Sequence, residues 1–160
     1  MAQVDLHLKL EGIVGESKDA KNNLEMQIDS FRLKVESPRD ASTGFASGAA
    51  RMSTLTIRGK IEQPTAKLFD KSYHHQKINK ATLTGRKAGK DPLDFLIMVL
   101  TEVLVMRVEI GDLEGGDGDL IPPCEFDLSY GTIQVKTQGQ TETGLGSGFL
   151  QFDANLMTKT

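Results

Sequence analysis

Few residues in this chain are suited to chemistry. Its 160 residues include three histidines and one cysteine. His74 and His75 are adjacent, which invites a metal reading. Adjacent side chains on a helix point about 100° apart, and no nearby set of Cys, Asp and Glu has ligand spacing. The pair reads as solvated or hydrogen-bonded histidines near a helix C-terminus, where positive charge is tolerated. Cys124 follows Pro122 and Pro123 with no basic neighbour or local histidine, so it reads as an inert thiol. Asp112, Glu114, Asp117 and Asp119 alternate with glycines and suggest a calcium loop. Their spacing misses the EF-hand pattern and no flanking helices are predicted, so a flexible acidic hairpin loop is expected. The run GRKAGKD at 85–91 lacks the spacing of a phosphate-binding loop. With no acid–base pair, no nucleophile beside a base and no metal cluster, the chain is expected to be no enzyme and to hold no cofactor or metal.

The elements that must position these residues are organised around Leu93–Ile110, LDFLIMVLTEVLVMRVEI, the most apolar run in the chain. Asp94, Glu102, Arg107 and Glu109 interrupt it, which argues against a membrane span of about 18 uncharged residues. Val99, Val103, Val105 and Val108, with Ile97 and Ile110, favour strand over helix, because branching at Cβ restricts helical rotamers and packs well on a pleat. A pair of core strands is expected, with a turn or bulge at Thr101–Glu102. The second half starts apolar on both faces, so it needs a covering layer on each side.

Other segments alternate. Val4, Leu6, Leu8 and Leu10 form one face of a strand and Asp5, His7, Lys9 and Glu11 the other, which leaves His7 exposed. Residues 15–23, GESKDAKNN, read as a polar connection. Leu24, Met26 and Ile28 share a face, as do Phe31, Leu33 and Val35, but an odd step separates the two sets. A β-bulge at Asp29–Ser30 restores a common inner face; partly apolar faces in an oligomer are the alternative. Further strands are predicted at Leu55–Ile61, Ile78–Arg86, Phe126–Gln138 (shifted at Gly131) and Leu150–Asn155. Pro64 fits the start of a helix over Thr65–Lys77. Ala66, Phe69, Tyr73 and Gln76 line its apolar side, with Leu68 adjacent, a stripe narrow enough for a helix that caps a barrel or lies at a subunit edge. The segment 139–148 reads as a turn or loose tail, and Leu156–Thr160 as frayed. Residues 37–53, SPRDASTGFASGAARMS, are too long for an economical connection. Two readings stand: a floppy hairpin tip, or a projecting arm whose Phe45 and Met52 find a partner surface.

A chain with about seven to nine such strands and one helix is a barrel or closed sandwich. A single domain over 1–160 suits the length. The formal charge of -3, scattered basic residues and absence of tryptophan exclude an evident nucleic-acid or anionic-membrane partner. One cysteine permits no intrachain disulfide. The opening MAQVDLHLKL lacks the basic and apolar regions of a cleaved secretory signal. Outward apolar residues near 103–105 must be buried outside the barrel itself, and with one small helix available the cover is expected to be another copy. A small ligand-binding or adaptor barrel without catalysis is the competing reading.

Four stretches resemble the Hcp family, the tube protein of bacterial type VI secretion: VDLHLKLEGIVGES, IRGKIEQPTAKLF at 57–69, TLTGRKAG, and the strand pair ending at Val108. The resemblance runs from about Val4 to about Phe152 and rests on order and spacing. It implies a compact two-sheet β-barrel with one flanking α-helix and a long extended loop. It further implies homohexameric rings that stack into a tube, with sheath, spike and effector proteins as partners, effectors carried in the lumen, no nucleic acid and no membrane insertion. Such a protein resides in the bacterial cytoplasm before assembly and is then secreted without a cleaved signal peptide. Ser37–Ser53 matches the loop that reaches a neighbouring ring, with Arg39, Asp40, Phe45 and Met52 as its contact residues. Leu68, Phe69 and Tyr73 belong to the flanking helix. Phe31 stands where many members have tryptophan.

Overall fold

The computed structural model describes residues 4–15, 25–88, 92–112, 121–141 and 145–158. Ten strands and one helix are seen among them: β1 (Val4–Leu10), β2 (Met26–Arg32), β3 (Val35–Glu36), β4 (Arg51–Met52), β5 (Leu55–Lys60), α1 (Thr65–Tyr73), β6 (Ile78–Lys87), β7 (Leu93–Ile110), β8 (Pro123–Ser129), β9 (Thr132–Thr137) and β10 (Leu150–Asn155). All ladders are antiparallel. The sheet runs β10-β9-β7-β6-β1-β2-β5-β8, and β8 returns to pair with β7. Six strands thereby close a barrel, from which β9 and β10 extend as a flange; β3 and β4 form a separate small hairpin.

The apolar run is one strand of 18 residues rather than two. The expected break at Thr101–Glu102 is a bend. Glu102 takes φ of 54°, a left-handed conformation, so Leu100 and Val103 both face the core across an odd step. A second shift, between Val105 and Arg107, turns Val108 inward as well. Along one edge of β7 lie β9 and β8, end to end: Thr101 is opposite Thr132 and Leu104 opposite Ser129. The Gly131 N–H bridges the joint by donating to the Thr101 carbonyl at 2.9 Å. A Cβ on Gly131 would meet Met157 Sδ at 2.9 Å and Glu102 Cβ at 3.0 Å, so only glycine fits without displacement. Here the sheet divides. The β8 half continues to β5 and closes the barrel, while the β9 half continues to β10.

Alternation sets the core. Leu8 and Leu10 of β1, Leu55 and Ile57 of β5, Leu83 of β6, Met98 and Leu100 of β7, and Phe126 and Leu128 of β8 are fully buried. These side chains fill the barrel, as is usual for one this small. The bulge expected near Asp29–Ser30 is present: the β2–β5 register shifts between Ile28 and Ser30. Phe31 and Leu33 then pack against the core beyond it.

Several expectations need correction. His7 is only 2% exposed despite lying opposite in parity to Leu8. It sits mid-sheet between Gln27 and Thr84 on the neighbouring strands. The helix stops at Tyr73, short of Lys77. His75 takes φ of 52°, and the Gln76 N–H donates to the Lys71 carbonyl, a left-handed C-terminal closure. Its buried face is Thr65 and Leu68, packed toward β7. Ala66, Phe69, Tyr73 and Gln76 face out instead. Two stripes about 100° apart compete on a short helix, and the barrel accepts the one carrying Leu68. The 139–148 segment is tied by a bridge between Gln140 and Gly146, and Leu156 docks its N–H on the Gly131 carbonyl at 2.8 Å. The polar connection 16–24, with Leu24, most of the acidic loop (113–120) and residues 89–91 lie outside the described residues.

Candidate interaction surfaces

The 37–53 segment is a built hairpin. Its root is held by the Ser53 N–H on the Lys34 carbonyl and by the Lys34 N–H on Ser53 Oγ, at 2.8 and 2.9 Å. Tyr130 locks the root from the barrel side, its hydroxyl donating to the Ser53 carbonyl at 2.8 Å. Burial raises the Tyr130 phenol to about 12, so it stays a donor at any ordinary pH. Farther out, Arg39 pairs with Ala46. Asp40 Oδ1 accepts from the Ser42 N–H and Oγ at 2.8 and 2.7 Å and from the Thr43 N–H at 3.4 Å. This is the side-chain turn that Asp favours, and hydrogen bonds from Ser42 hold the carboxyl below its usual range. The Asp40 N–H and carbonyl also bond Phe45 and Gly44. Phe45 is thus displayed at the tip of an ordered turn, 76% exposed. Arg39, Asp40 and Phe45 come together there. Met52 does not; it lies at the root, half-buried against the core.

The helix places its three named residues differently. Leu68 is fully buried, Phe69 is exposed, and Tyr73 is 82% exposed with its ring edge-on to His74 at 5.0 Å. His74 Nδ1 lies 2.9 Å from Asp70 Oδ1, one helical turn back. His75 is consumed by the helix end. Cys124 is buried; loss of solvation raises its pKa, partly offset by a hydrogen bond with Thr65, and the net shift favours the protonated thiol.

A charged ladder crosses the outward face of β5, β8 and β7. Arg107 donates from Nε to Asp127 Oδ2 at 2.9 Å, from Nη2 to Glu125 Oε1 at 2.5 Å and from Nη1 to Glu109 Oε2 at 2.5 Å. Arg58 holds the other oxygen of Glu125 at 2.9–3.0 Å, and Thr56 Oγ1 donates to Asp127 at 2.7 Å. Hydrogen bonds from Arg107 and Arg58 lower Glu125. Burial alone would raise Asp127, but its bonds from Arg107 and Thr56 carry it down. Asp127 and Glu125, in turn, raise Arg107. Sequence reasoning missed this ladder. Its only local signal is that Thr56 and Arg58, Glu125 and Asp127, and Arg107 and Glu109 each sit at alternate positions. Registering the three strands against each other requires the fold.

Apolar side chains also remain outside. Leu104, Met106 and Ile110 are exposed on β7, and Leu150 and Phe152 share one exposed face of β10. On that flange, Gln134 and Gln151 both donate to Asp153, at 3.1 and 2.8 Å, and lower its pKa. Thr101 and Thr132 are bonded hydroxyl to hydroxyl across the neighbouring strands. Among the described residues, none of these surfaces carries a nucleophile next to a base.

Comparison with known proteins places the architecture. The family model described as type VI secretion system effector, Hcp, matches residues 7–137. Protein hcp1 of Pseudomonas aeruginosa is 28% identical over 148 residues, covering 91% of this chain and 90% of that protein. The crystal structure of Hcp1 from Salmonella typhimurium is similar at 26% identity with a TM-score of 0.79, covering 100% of this chain and 99% of that one. A structure of a type six secretion system protein superposes with a TM-score of 0.89 over 99% of both chains; at 22% identity it speaks for the fold alone.

Proposed function

The chain belongs to the Hcp family of type VI secretion system proteins, structural and non-enzymatic, and on that premise we propose that it is a secreted tube component forming hexameric rings that stack and carry effectors in the lumen. The observation that carries the assembly reading is the apolar surface left on the closed barrel. Leu104 and Met106 on β7, and Leu150 and Phe152 on β10, remain exposed although the core is complete without them. Contiguous apolar patches are uncommon on soluble monomers and mark contact sites. A ring joins unlike faces of successive copies, and β7 and β10 offer two such faces on different parts of the molecule. The ligand-binding barrel is disfavoured by the interior, which leucine, isoleucine, methionine and phenylalanine fill.

In this reading sheath, spike and effector proteins are the partners, and the protein waits in the cytoplasm before export. The arm is the stacking element and the strand faces close the ring. Native mass spectrometry should show a hexamer, and a monomer at all micromolar concentrations would sink the proposal. Replacing residues 40–50 by a short Gly/Ser turn should leave the barrel folded and the hexamer intact while shortening tubes in electron micrographs. Phe45→Ala should act the same way more mildly. A shortened arm that breaks the hexamer into monomers would assign the arm to ring closure instead.

A further inference from the structure

The sulfur atoms of the described residues are not equally sheltered. Met26, Met98 and Cys124 are buried, and Met52 is half-buried against the core. Met106 and Met157 are 59% and 63% exposed. Met106 stands on β7 at the shift between Val105 and Arg107, away from the place where the sheet divides. Met157 follows β10 and folds back onto that place.

The geometry of the return is specific. Asn155 Oδ1 accepts from the Met157 and Thr158 N–H groups at 3.0 and 3.2 Å, which turns the chain after β10. Within that turn the Leu156 N–H donates to the Gly131 carbonyl at 2.8 Å. The Met157 side chain then fills the space that Gly131 leaves by having no side chain. Its Sδ and Cε lie 2.9 and 3.1 Å from where a Cβ would stand. Glu102, with its left-handed φ of 54°, borders the same space through its Cβ at 3.0 Å. A backbone hydrogen bond and a thioether contact thus hold the segment after β10 on the joint between β7 and β9. The contact is apolar, so it lasts only while the sulfur is apolar.

We propose that Met157 is an oxidation site, and that a peroxide, by converting its thioether to the sulfoxide, releases the segment after β10 from the joint. The sulfur attacks one peroxide oxygen. An S–O bond forms and the O–O bond breaks; the sulfur gives up two electrons, and the departing hydroxide takes the proton of the transferred hydroxyl and leaves as water. The sulfoxide is polar where the thioether was not. Its oxygen calls for water, whereas the space over Gly131 suits a bare thioether. The side chain moves out, and the Leu156–Gly131 hydrogen bond loses its cover. Sulfoxide reduction reverses the change.

The test treats the full chain with hydrogen peroxide and follows peptide masses and amide hydrogen exchange. Met157 should gain one oxygen ahead of Met26, Met52 and Met98. The Leu156 amide, protected in the untreated protein, should then exchange about tenfold faster, as a local opening would allow. Methionine sulfoxide reductases of both epimer specificities should restore mass and protection together. Met157→Leu keeps an apolar side chain without the sulfur, so its Leu156 amide should stay protected through the same treatment. Met106→Leu should respond as the parent does, because Met106 lies off the joint. Oxidation of Met106 with Met157 left untouched overturns the proposal. So does unchanged Leu156 exchange after complete oxidation of Met157, or the same acceleration in Met157→Leu. A Leu156 amide already unprotected in the parent would mean that there is no contact to release, which also overturns it.

Discussion

Both halves of β7 are rich in apolar residues, and they differ in what surrounds them. Leu93–Thr101 is hydrogen-bonded on both edges, to β6 and to β9. Its Leu96, Met98 and Leu100 point into the core, and Ile97 and Val99 on the other face are half-covered. Leu104–Ile110 is bonded to β8, and the β6 ladder has ended at Val103. Val103 and Val105 are buried at the start of this half, while Leu104, Met106 and Ile110 are exposed. Arg107, between them, ties β7 to β8 by charge rather than by apolar contact, and Arg58 extends the network to β5. The first half thus serves folding on both faces. The second serves folding on one face only. Apolar content alone does not fix what a segment contributes to barrel stability.

The largest effect expected from this contrast is in the first half. Leu100→Ala removes a fully buried side chain from the middle of the doubly paired segment and should cost about 2–5 kcal/mol, the range for a buried cavity. Urea unfolding of the parent and variant measures it. A loss below about 1 kcal/mol would mean that the core around β6 and β9 collapses to fill the space.

Arg107→Leu should have an intermediate effect. It leaves Glu125 with Arg58 alone and Asp127 with Thr56, and should cost about 1 kcal/mol, since exposed networks are screened. Its pH signature is more specific. Glu125 and Asp127 have lowered pKa values in the folded protein. Their contribution is therefore complete above the ordinary carboxylate range, near pH 4, and is lost as pH falls through the lowered folded values. Urea midpoints of the parent should drop across that acid window, and those of Arg107→Leu should drop less. Parallel curves would mean that other groups govern acid sensitivity.

The smallest effect on barrel stability should come from Met106→Gln, outside the core. It should change the unfolding free energy by no more than about 0.5 kcal/mol, while ring assembly measured by native mass weakens. A stability loss approaching that of Leu100→Ala would erase the distinction between the two halves.

Much of this was legible locally. Period-two alternation placed most of the strands, Pro64 placed the helix start, and the odd step between Ile28 and Phe31 placed a bulge where the β2–β5 register shifts. The length and small residues of 37–53 allowed either a floppy tip or a projecting arm, and the β3–β4 ladder with the Arg39–Ala46 bridge makes it an ordered hairpin. The charged ladder was not legible. Nothing links Arg58, Arg107 and Glu125 in sequence until three strands are registered side by side.

The sequence by itself determined most of the strand segments and the odd step that places a bulge between Ile28 and Phe31. These follow from local rules, because a strand's side chains alternate wherever it lies. The tertiary structure decided the rest. It made one bent strand of an expected pair, buried His7 on the polar parity, and chose Leu68 over Phe69 as the residue that enters the core. Each of those outcomes depends on which distant strand lies alongside, and cross-strand register is a property of the closed barrel, not of any segment within it.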